Sequence, residues 1–252
     1  NYIFEISKRN IPLYLISGKF KKKDIIFSSN WAVNHLKMFD FIFTNEHESN
    51  DVLKSKNINN YIFSGDTRFD SISNNNKGNI NLKRINDFCG DKDIIVFGSV
   101  YKDDLRIIED FITENNSYKY LIAFHNNCNK NNKILKKYDY VNYSDNSQNK
   151  ANIMLIDEFG ILKNLYKFAK IVYVGGGFNK GIHNILEPIF FGNPVIFGPK
   201  FKNFDEAKKA IRLGIAIPVS NKNEFEVSVE KFKNFDRAKS IEYFKSNLGA
   251  SN

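Results

Sequence analysis

The chain has few of the residues that staple small secreted proteins together. Among its 252 residues only two are cysteines, Cys89 and Cys128, which lie far apart and belong to no CxxC or Cys/His cluster. This excludes a disulfide-rich scaffold and a zinc site of the usual ligand spacing. We therefore expect two reduced thiols, as in a cytosolic protein.

Long apolar runs are also absent. No stretch approaches the roughly eighteen consecutive apolar residues that a membrane-spanning helix needs. The first ten residues, NYIFEISKRN, do not combine a basic segment with an apolar block, so they are unlike a secretory signal peptide. Because the first residue is not methionine, we expect a fragment or a processed start.

Positive charge, by contrast, is in excess. The chain has 37 lysines and arginines against 28 acidic residues, a formal net charge of +9. Such a balance is typical of nucleic-acid binders. Here, however, lysine is spread along the chain among asparagines, as in NNNKGNINLKRIN at 74–86, so we predict no nucleic-acid partner. The densest basic cluster, Lys19–Lys23, is a candidate for contact with an anionic membrane, and a solvated loop is its alternative.

Residues 171–199 are the most informative stretch. Ile171–Val174 is an uncharged run of β-branched and aromatic residues, typical of a strand covered on both faces. Three glycines, 175–177, then allow a sharp turn and a close approach of a ligand. Gly181 gives a second flexible point, and we predict that a helix opens at His183-Asn184. A strand, glycine loop and helix start in this order predict an anion site, usually for phosphate.

The predicted helix also carries an acidic residue. We expect Glu187 to lie one turn in, where its carboxylate can accept hydrogen bonds from sugar hydroxyls. Each feature has an ordinary alternative: a tight turn for the glycines, a cap or packing role for His183, and a solvated position for Glu187. Their occurrence together within thirty residues favours a binding site.

The rest of the chain alternates short apolar strands with helical segments, which predicts parallel sheets with helices on both faces. Residues 71–92 are rich in Asn, Ser and Gly, which indicates a connection between two lobes. In the second lobe a strand at Ile94–Phe97 leads to Ser99, which can donate to a phosphate or cap the next helix. Another predicted strand, Tyr120–Phe124, ends at His125.

Several motifs together resemble one known family. GGGF at 175–178, GIHNILEP at 181–188 and GNPVIFGP at 192–199 resemble the C-terminal domain of the 3-deoxy-D-manno-octulosonic acid (Kdo) transferases. GDTRFD at 65–70 and FGPKFKNFDEA at 197–207 occur in the order expected for that family. Its members move Kdo from CMP-Kdo to lipid A precursors. The resemblance covers essentially the whole chain, but the chain does not cover the whole family.

The resemblance implies an α/β fold of the GT-B type, with twin Rossmann-like lobes of which the N-terminal lobe is incomplete. The expected division is into a partial acceptor-side lobe, a linker, a CMP-sugar-binding lobe, and a C-terminal helix that crosses back to the first lobe. These segments are residues 1–75, 76–92, 93–235 and 236–252.

The resemblance also implies a donor site. The 175–178 loop is expected to meet the phosphate, Glu187 the ribose hydroxyls, and His183 and Asn184 the leaving group. His125 departs from the family pattern, because it lacks the neighbouring proline and second charged residue that family members have. The expected donor-binding residues are Ser99, His125, Gly175, Gly176, Gly177, Phe178, Gly181, His183, Asn184 and Glu187.

We expect no metal and no cofactor, because CMP is a monophosphate leaving group and the only DxD, at 91–93, precedes a strand. The family's catalytic base is a glutamate that would lie upstream of Asn1, so the chain alone is expected to be inactive. The implied partners are CMP-Kdo, a lipid A precursor and the cytoplasmic face of the bacterial inner membrane, contacted through the missing N-terminal part during lipopolysaccharide biosynthesis. Another GT-B nucleotide-sugar enzyme, such as a UDP-sugar transferase or epimerase, and a non-catalytic nucleotide-binding module are the alternatives.

Overall fold

The computed structural model describes residues 2–74, 81–125, 138–145 and 151–251. The chain divides into two compact units, one comprising Asn1–Asn75 with Lys245–Asn252 and the other Asn76–Phe244. No helix within the described ranges is long and apolar enough to cross a membrane.

The first unit is built on a parallel sheet of three strands in the order β1-β2-β3. The strands are β1 Tyr14–Gly18, β2 Phe41–Thr44 and β3 Tyr61–Phe63. The helices are α1 Tyr2–Lys8, a 3-10 helix at Ile25–Ser28, α2 Asn30–Leu36, α3 His47–Ser55 and α4 Thr67–Asn74.

The two faces of this small sheet differ. Because side chains alternate along a strand, Ile42 of β2 points into a core that it shares with Leu53 of α3. On the opposite face, Tyr14 is 59% exposed, Ile16 66% and Ile62 51%. This second face is therefore an apolar surface that no other described part of the first unit covers.

The C-terminal residues of the first unit are tied to α4. The Asp70 carboxylate accepts hydrogen bonds from the N–H groups of Gly249 at 2.8 Å and Ser251 at 2.9 Å. The Gly249 hydrogen bond lowers the pKa of Asp70 below its ordinary value, because it favours the ionised carboxylate.

The second unit contains a parallel sheet of seven strands in the order β10-β9-β8-β4-β5-β7-β6. The strands are β4 Asp93–Val100, β5 Tyr118–Phe124, β6 Tyr140–Asn142, β7 Ile153–Leu155, β8 Ile171–Val174, β9 Val195–Phe197 and β10 Ala216–Pro218. The helices are α5 Leu82–Cys89, α6 Lys102–Glu114, α7 Leu162–Leu165, a 3-10 helix at Tyr166–Phe168, α8 Leu186–Phe190, α9 Asp205–Arg212, α10 Lys222–Phe232 and α11 Arg237–Lys245.

Aromatic residues hold the central strands of this sheet in place. The Phe97 ring in β4 lies 5.9 Å from Tyr173 in β8 and 6.1 Å from Phe225 in α10, measured between ring centroids. Phe111 of α6 packs edge-on against Phe225 at 5.3 Å. Such contacts add geometric specificity to the burial of apolar area. They fix the strands whose carboxyl ends carry the predicted site.

The parallel α/β architecture predicted from the sequence is confirmed. The helices α1 and α4 were not predicted. Part of the predicted linker forms α5, whose first turn is capped by the Asn81 side chain accepting from the Arg84 N–H at 3.0 Å. This helix buries Ile85 and Cys89, and burial raises the pKa of the Cys89 thiol to about 12. Cys128 lies outside the described residues.

Candidate donor-binding site

The predicted site residues of the second unit lie where three neighbouring strands end. β4 pairs with β5 on one side and with β8 on the other. Ser99 lies at the end of β4, His125 directly follows β5, and the glycines at 175–177 directly follow β8. Open parallel sheets bind their ligands beyond the carboxyl ends of the strands. The topology therefore brings these sequence-distant residues to one edge.

The backbone is irregular at this edge. Ser99 has a φ of +54°, a left-handed conformation that residues other than glycine seldom adopt. The pairing of β4 with β5 shifts its register between Phe97 and Val100. Sparsely populated backbone conformations of this kind concentrate at functional sites.

The three glycines are required by close approaches of backbone to backbone. A Cβ on Gly175 would overlap the Ser99 carbonyl group. A Cβ on Gly176 would lie 2.5 Å from the Gly181 carbonyl oxygen, and one on Gly177 would lie 2.6 Å from Gly198 Cα. The glycine run thus allows the chain leaving β8 to pack against the ends of its neighbours.

Two of the loop N–H groups are used within the protein. Gly175 donates to the Gly98 carbonyl at 2.8 Å, and Gly176 donates to Asp104 Oδ2 at 3.1 Å. The N–H groups of Gly177 and Asn184 have no hydrogen-bond partner among the described residues. Of the amides predicted to bind phosphate, these two are not used within the described residues; Asn184 is exposed and Gly177 is buried.

Asp104 connects the glycine loop to the start of α6. This fully buried carboxylate accepts hydrogen bonds from the Tyr101 N–H at 2.8 Å, the Tyr173 hydroxyl at 2.8 Å and the Gly176 N–H. Burial raises the pKa of Asp104 above its ordinary value, although these three hydrogen bonds favour the charged form. Asp104 therefore fixes three segments that meet at the edge of the sheet.

Two predicted histidines meet at a tyrosine. The ring centroids of His125 and His183 lie 4.3 Å apart. Tyr101 stacks on His125 at 4.7 Å and on His183 at 5.5 Å, and its hydroxyl lies 3.2 Å from His183 Nε2. Burial lowers the pKa of His183, and the neighbouring His125 lowers it further. Both effects favour the neutral imidazole form of His183.

The prediction that a helix opens at His183-Asn184 is wrong. The helix α8 begins at Leu186, and Asn184 instead makes a local turn in which its Oδ1 accepts from the Leu186 N–H at 3.0 Å. Asparagine favours such turns because its side chain competes with the backbone for hydrogen bonds. Asn184 is consequently exposed beside the site and does not lie within a helix.

Glu187 is the second residue of α8 and therefore lies in its first turn. The sequence had predicted a position one full turn into the helix. It is half-buried, and Asn184 Nδ2 donates to its Oε1 at 3.2 Å. Burial raises the pKa of Glu187 above its ordinary value. Asn184 and Glu187 thus form a pair of polar groups next to His183.

The two remaining predicted residues support the loop. Gly181 has a φ of +144° and lies against the Phe204 ring, which leaves no room for a Cβ. The ring of Phe178 packs closely on Gly198, which follows β9. Their positions shape the segment between β8 and α8.

A cavity of about 170 Å³ opens at the same edge. Ser99 and His125 line it together with residues of the segment that follows β7, among them Asp157, Gly160 and Leu162. Asp157 is held by the Ser144 N–H at 3.0 Å. The predicted Ser99 and His125 therefore share one concave surface.

No group of three or more His, Cys, Asp or Glu side chains that could hold a metal occurs within the part of the chain that the structure describes. The absence of a metal in the mechanism remains a prediction.

Tyr101 and Asp104 are the site residues that the sequence did not single out. Asp104 is the N3 residue of α6, and its side chain accepts from the backbone of Tyr101, the residue that precedes the helix. An acidic residue three positions after a helix cap was the available signal, and it points to capping alone. The contacts with Gly176 and His183 could not be anticipated.

The chain is similar in sequence to two kinds of curated bacterial protein. No protein-family model matches it. It is 29% identical over 255 residues to a bifunctional glycosyltransferase/methyltransferase of Fusobacterium nucleatum, a match covering 93% of this chain and 39% of that protein. It is 28% identical over 176 residues to the 3-deoxy-D-manno-octulosonic acid transferase of Rickettsia prowazekii, covering 61% of this chain and 36% of that protein. The chain therefore spans less than two fifths of the length of these relatives.

Solved structures share the fold. The C-terminal CMP-Kdo binding domain of WaaA from Acinetobacter baumannii superimposes with a TM-score of 0.56 at 14% identity, covering 71% of this chain and 97% of that domain. The UDP-GlcNAc 2-epimerase of Methanocaldococcus jannaschii gives a TM-score of 0.63 at 16% identity, covering 97% of this chain and 72% of the epimerase. The predicted fold class and the predicted family resemblance are both confirmed. The chain resembles the Kdo transferases in sequence and has an α/β fold of the GT-B type.

Proposed function

We propose that this chain is the donor-binding part of a glycosyltransferase that moves Kdo from CMP-Kdo to a lipid A precursor in lipopolysaccharide biosynthesis. The similarity to transferases of that name supports the reaction class. The GGGF and GIHNILEP motifs lie in the second unit and follow β8, at the edge where β4 and β5 also end.

One observation carries the proposal: His125, His183, Asn184 and Glu187 converge at that edge although they come from two separate segments, one after β5 and one after β8. In the proposed complex, Glu187 accepts hydrogen bonds from the ribose hydroxyls of CMP-Kdo. His183 and Asn184 lie at the phosphate, and Ser99 and His125 line the adjoining cavity.

The reaction breaks the bond between the anomeric carbon of Kdo and a CMP phosphate oxygen, which leaves with the electron pair. An acceptor hydroxyl forms the new bond and gives its proton to a base. Hydrogen-bond donors placed at the phosphate stabilise the charge that develops there, and each contributes about 3 kcal/mol in well-studied cases. We propose that the base and the acceptor site belong to residues outside this chain, so the chain binds CMP but transfers Kdo poorly.

Nucleotide-dependent thermal stabilisation tests this proposal. A ligand that binds the folded chain raises its unfolding temperature, so CMP should stabilise the protein at concentrations where UDP does not. Titration calorimetry with the same two nucleotides gives the affinities. Stabilisation by UDP alone would contradict the proposal and favour a UDP-sugar enzyme. No stabilisation by either nucleotide would contradict both.

A UDP-sugar epimerase or transferase is the second candidate. The observation in its favour is that the match to the epimerase structure covers nearly the whole chain. At 16% identity this likeness shows the fold alone, and the sequence relatives favour the Kdo reaction.

We also propose that the protein works at the cytoplasmic face of the bacterial inner membrane. Lys22 and Lys23 are exposed, and they are followed in sequence by Ile25, 86% exposed, and Trp31, 65% exposed. Basic and aromatic residues are the types that bind anionic lipid surfaces. Trp31 is the only tryptophan, so its fluorescence reports on this segment alone.

We expect the Trp31 emission to shift to shorter wavelength on addition of phosphatidylglycerol vesicles but not of phosphatidylcholine vesicles. The double substitution Lys22→Glu, Lys23→Glu should abolish the shift. An unchanged spectrum of the unsubstituted chain with anionic vesicles would contradict a membrane role for this segment. A flat binding curve with single-stranded RNA at physiological salt checks the expectation that nucleic acid is not a partner.

A further inference from the structure

Tyr101 occupies the centre of the cluster at the edge of the sheet. Its ring stacks on His183 with an interplanar angle of 13° and on His125 with an angle of 29°. Its hydroxyl lies 3.2 Å from His183 Nε2. Neither the motifs nor the proposed function assigns Tyr101 a role.

The backbone of Tyr101 is held firmly. Its N–H donates to Asp104 Oδ2 at 2.8 Å, and the same carboxylate binds the glycine loop through the Gly176 N–H. On its other side, the His183 ring packs closely on Gly176. A Cβ added at Gly176 would lie only 3.0 Å from His183 Cδ2. Tyr101 and His183 are thus positioned by one shared carboxylate and one loop.

The Cδ2–Nε2 edge of His183 is therefore enclosed by Gly176 and the Tyr101 hydroxyl. His183 Nδ1, at the opposite side of the ring, has no hydrogen-bond partner among the described residues. In a neutral imidazole, the hydrogen bond made by one nitrogen determines which nitrogen carries the proton.

Resting on the proposed function, we propose that Tyr101 donates its hydroxyl proton to His183 Nε2 and so holds His183 as an Nδ1–H donor to the donor-nucleotide phosphate. Tyr101 is then a positioning residue that acts through His183. Two observations on acidity agree with this direction. Burial raises the pKa of Tyr101, which favours the protonated hydroxyl, and burial lowers the pKa of His183, which favours the neutral ring.

The tautomer can be measured in the unliganded protein. The chain has only four histidines, so nitrogen-15 spectra of its imidazoles are simple, and His35 and His47 of the first unit serve as internal references. We expect the Nδ1–H form for His183 in the unsubstituted chain. In Tyr101→Phe this preference should be lost while the reference histidines stay unchanged.

Binding of CMP gives the second readout. Tyr101→Phe keeps the stacked ring and removes only the hydroxyl, so CMP should bind about tenfold more weakly, as expected for one misdirected hydrogen bond to a charged group. Tyr120→Phe is the matched control, because it removes another buried hydroxyl bond, to the Asn115 carbonyl at 2.6 Å, away from the site. This control should bind CMP like the unsubstituted chain.

The outcomes separate the two hypotheses. If the unsubstituted chain fails to bind CMP, the proposed function is wrong, and the phosphate role of His183 with it. If CMP binds but His183 is in the Nε2–H form, or Tyr101→Phe binds CMP normally, the role of Tyr101 is wrong and the proposed function stands. The inference is supported if Tyr101→Phe loses the preference of His183 for the Nδ1–H form and also binds CMP more weakly, while the Tyr120→Phe control binds CMP normally.

Discussion

Glu187 has two properties that suit the proposed ribose-binding role: its side chain is half-buried beside Asn184, and its carboxylate is partly desolvated by burial. Its raised pKa means that it takes up a proton at a higher pH than an ordinary glutamate. Ribose hydroxyls donate to the ionised form, so protonation should oppose nucleotide binding.

We therefore expect CMP affinity to fall as the pH is lowered through the raised pKa of Glu187. Glu187→Gln should weaken CMP binding at pH 7 by about tenfold or more, since a charge-assisted hydrogen bond is lost. It should also remove this part of the pH dependence. Titration calorimetry of both proteins from about pH 4, near the ordinary glutamate value, to about pH 8 measures the difference.

Glu206→Gln is the control, because Glu206 is also a first-turn glutamate, in α9. It should leave both the affinity and its pH dependence unchanged. Equal losses in the two variants would contradict the assignment of Glu187 to the ribose.

We expect substitution of Asp104 to affect the stability of the fold more directly than the binding of a nucleotide. Asp104→Asn removes the negative charge and replaces one accepting oxygen by an NH₂ group, so the hydrogen bonds from Tyr101, Tyr173 and Gly176 are weakened or lose their acceptor. We expect a loss of about 1–3 kcal/mol in the free energy of unfolding. Urea denaturation measures it, with Asp103→Asn as the control, since Asp103 is a half-exposed neighbour in the same helical turn. A variant of Asp104 as stable as the Asp103 control would contradict the structural role given to this carboxylate.

At this scale the sequence predicted the residues whose types have known chemistry, and it missed those defined by their partners. His183 and Glu187 were found because they lie in a recognisable motif. Tyr101 meets His183 across 82 positions, and Asp104 meets Gly176 across 72, so local patterns contain no trace of either contact.

At the scale of elements, the loop after β8 can adopt its conformation only because its residues are glycines. Gly176 has a φ of +93°, and a Cβ there would press on the Gly181 carbonyl and on the His183 ring. Gly160 has a similar φ of +83°, but a Cβ there would meet nothing within 4 Å. An alanine at Gly160 therefore tests backbone strain alone, whereas an alanine at Gly176 tests backbone strain together with steric overlap.

We expect Gly160→Ala to cost about 1 kcal/mol of stability, the strain of a left-handed residue. Gly176→Ala should cost clearly more and should also displace His183 and abolish CMP binding. Thermal unfolding and CMP titration of the two variants test this. Similar results for both would contradict the claim that the loop is closely packed.

Element boundaries were predicted best where the apolar pattern is strong. The buried strand β8 has the bounds that the sequence indicated, because an uncharged run of β-branched and aromatic residues has few alternatives. The start of α8 was misplaced because Asn184, a good capping type, makes its turn with Leu186 and leaves His183 outside the helix. The bounds of helix α5 within the predicted connection were not predicted, because its eight residues mix basic, acidic and apolar types.

For the whole molecule, the main unanticipated feature is the bare apolar face of the first sheet. We expect this face to promote self-association of the isolated chain, because exposed apolar patches are normally covered. Ile16→Thr, together with Ile62→Thr, should reduce association in sedimentation velocity without lowering the unfolding temperature. If association is unchanged, the face is not what brings the copies together.

The C-terminal tail provides a test by pH. Because the pKa of Asp70 is lowered, its contribution is present above the ordinary value of 3.8 and is lost as the pH falls through the lowered value. Protection of the Gly249 and Ser251 N–H groups from hydrogen exchange should follow this course. In Asp70→Asn, protection should be weak at every pH. Protection equal to that of the unsubstituted chain would contradict the role of Asp70.

The same tail has a topological consequence. Residues 245–252 belong to the first unit but are covalently continuous with the second. A single protease cut between the two units would therefore release no free fragment, as long as the Asp70 carboxylate stays hydrogen-bonded to the tail. The pieces would migrate together under native conditions and separate only in denaturant or strong acid.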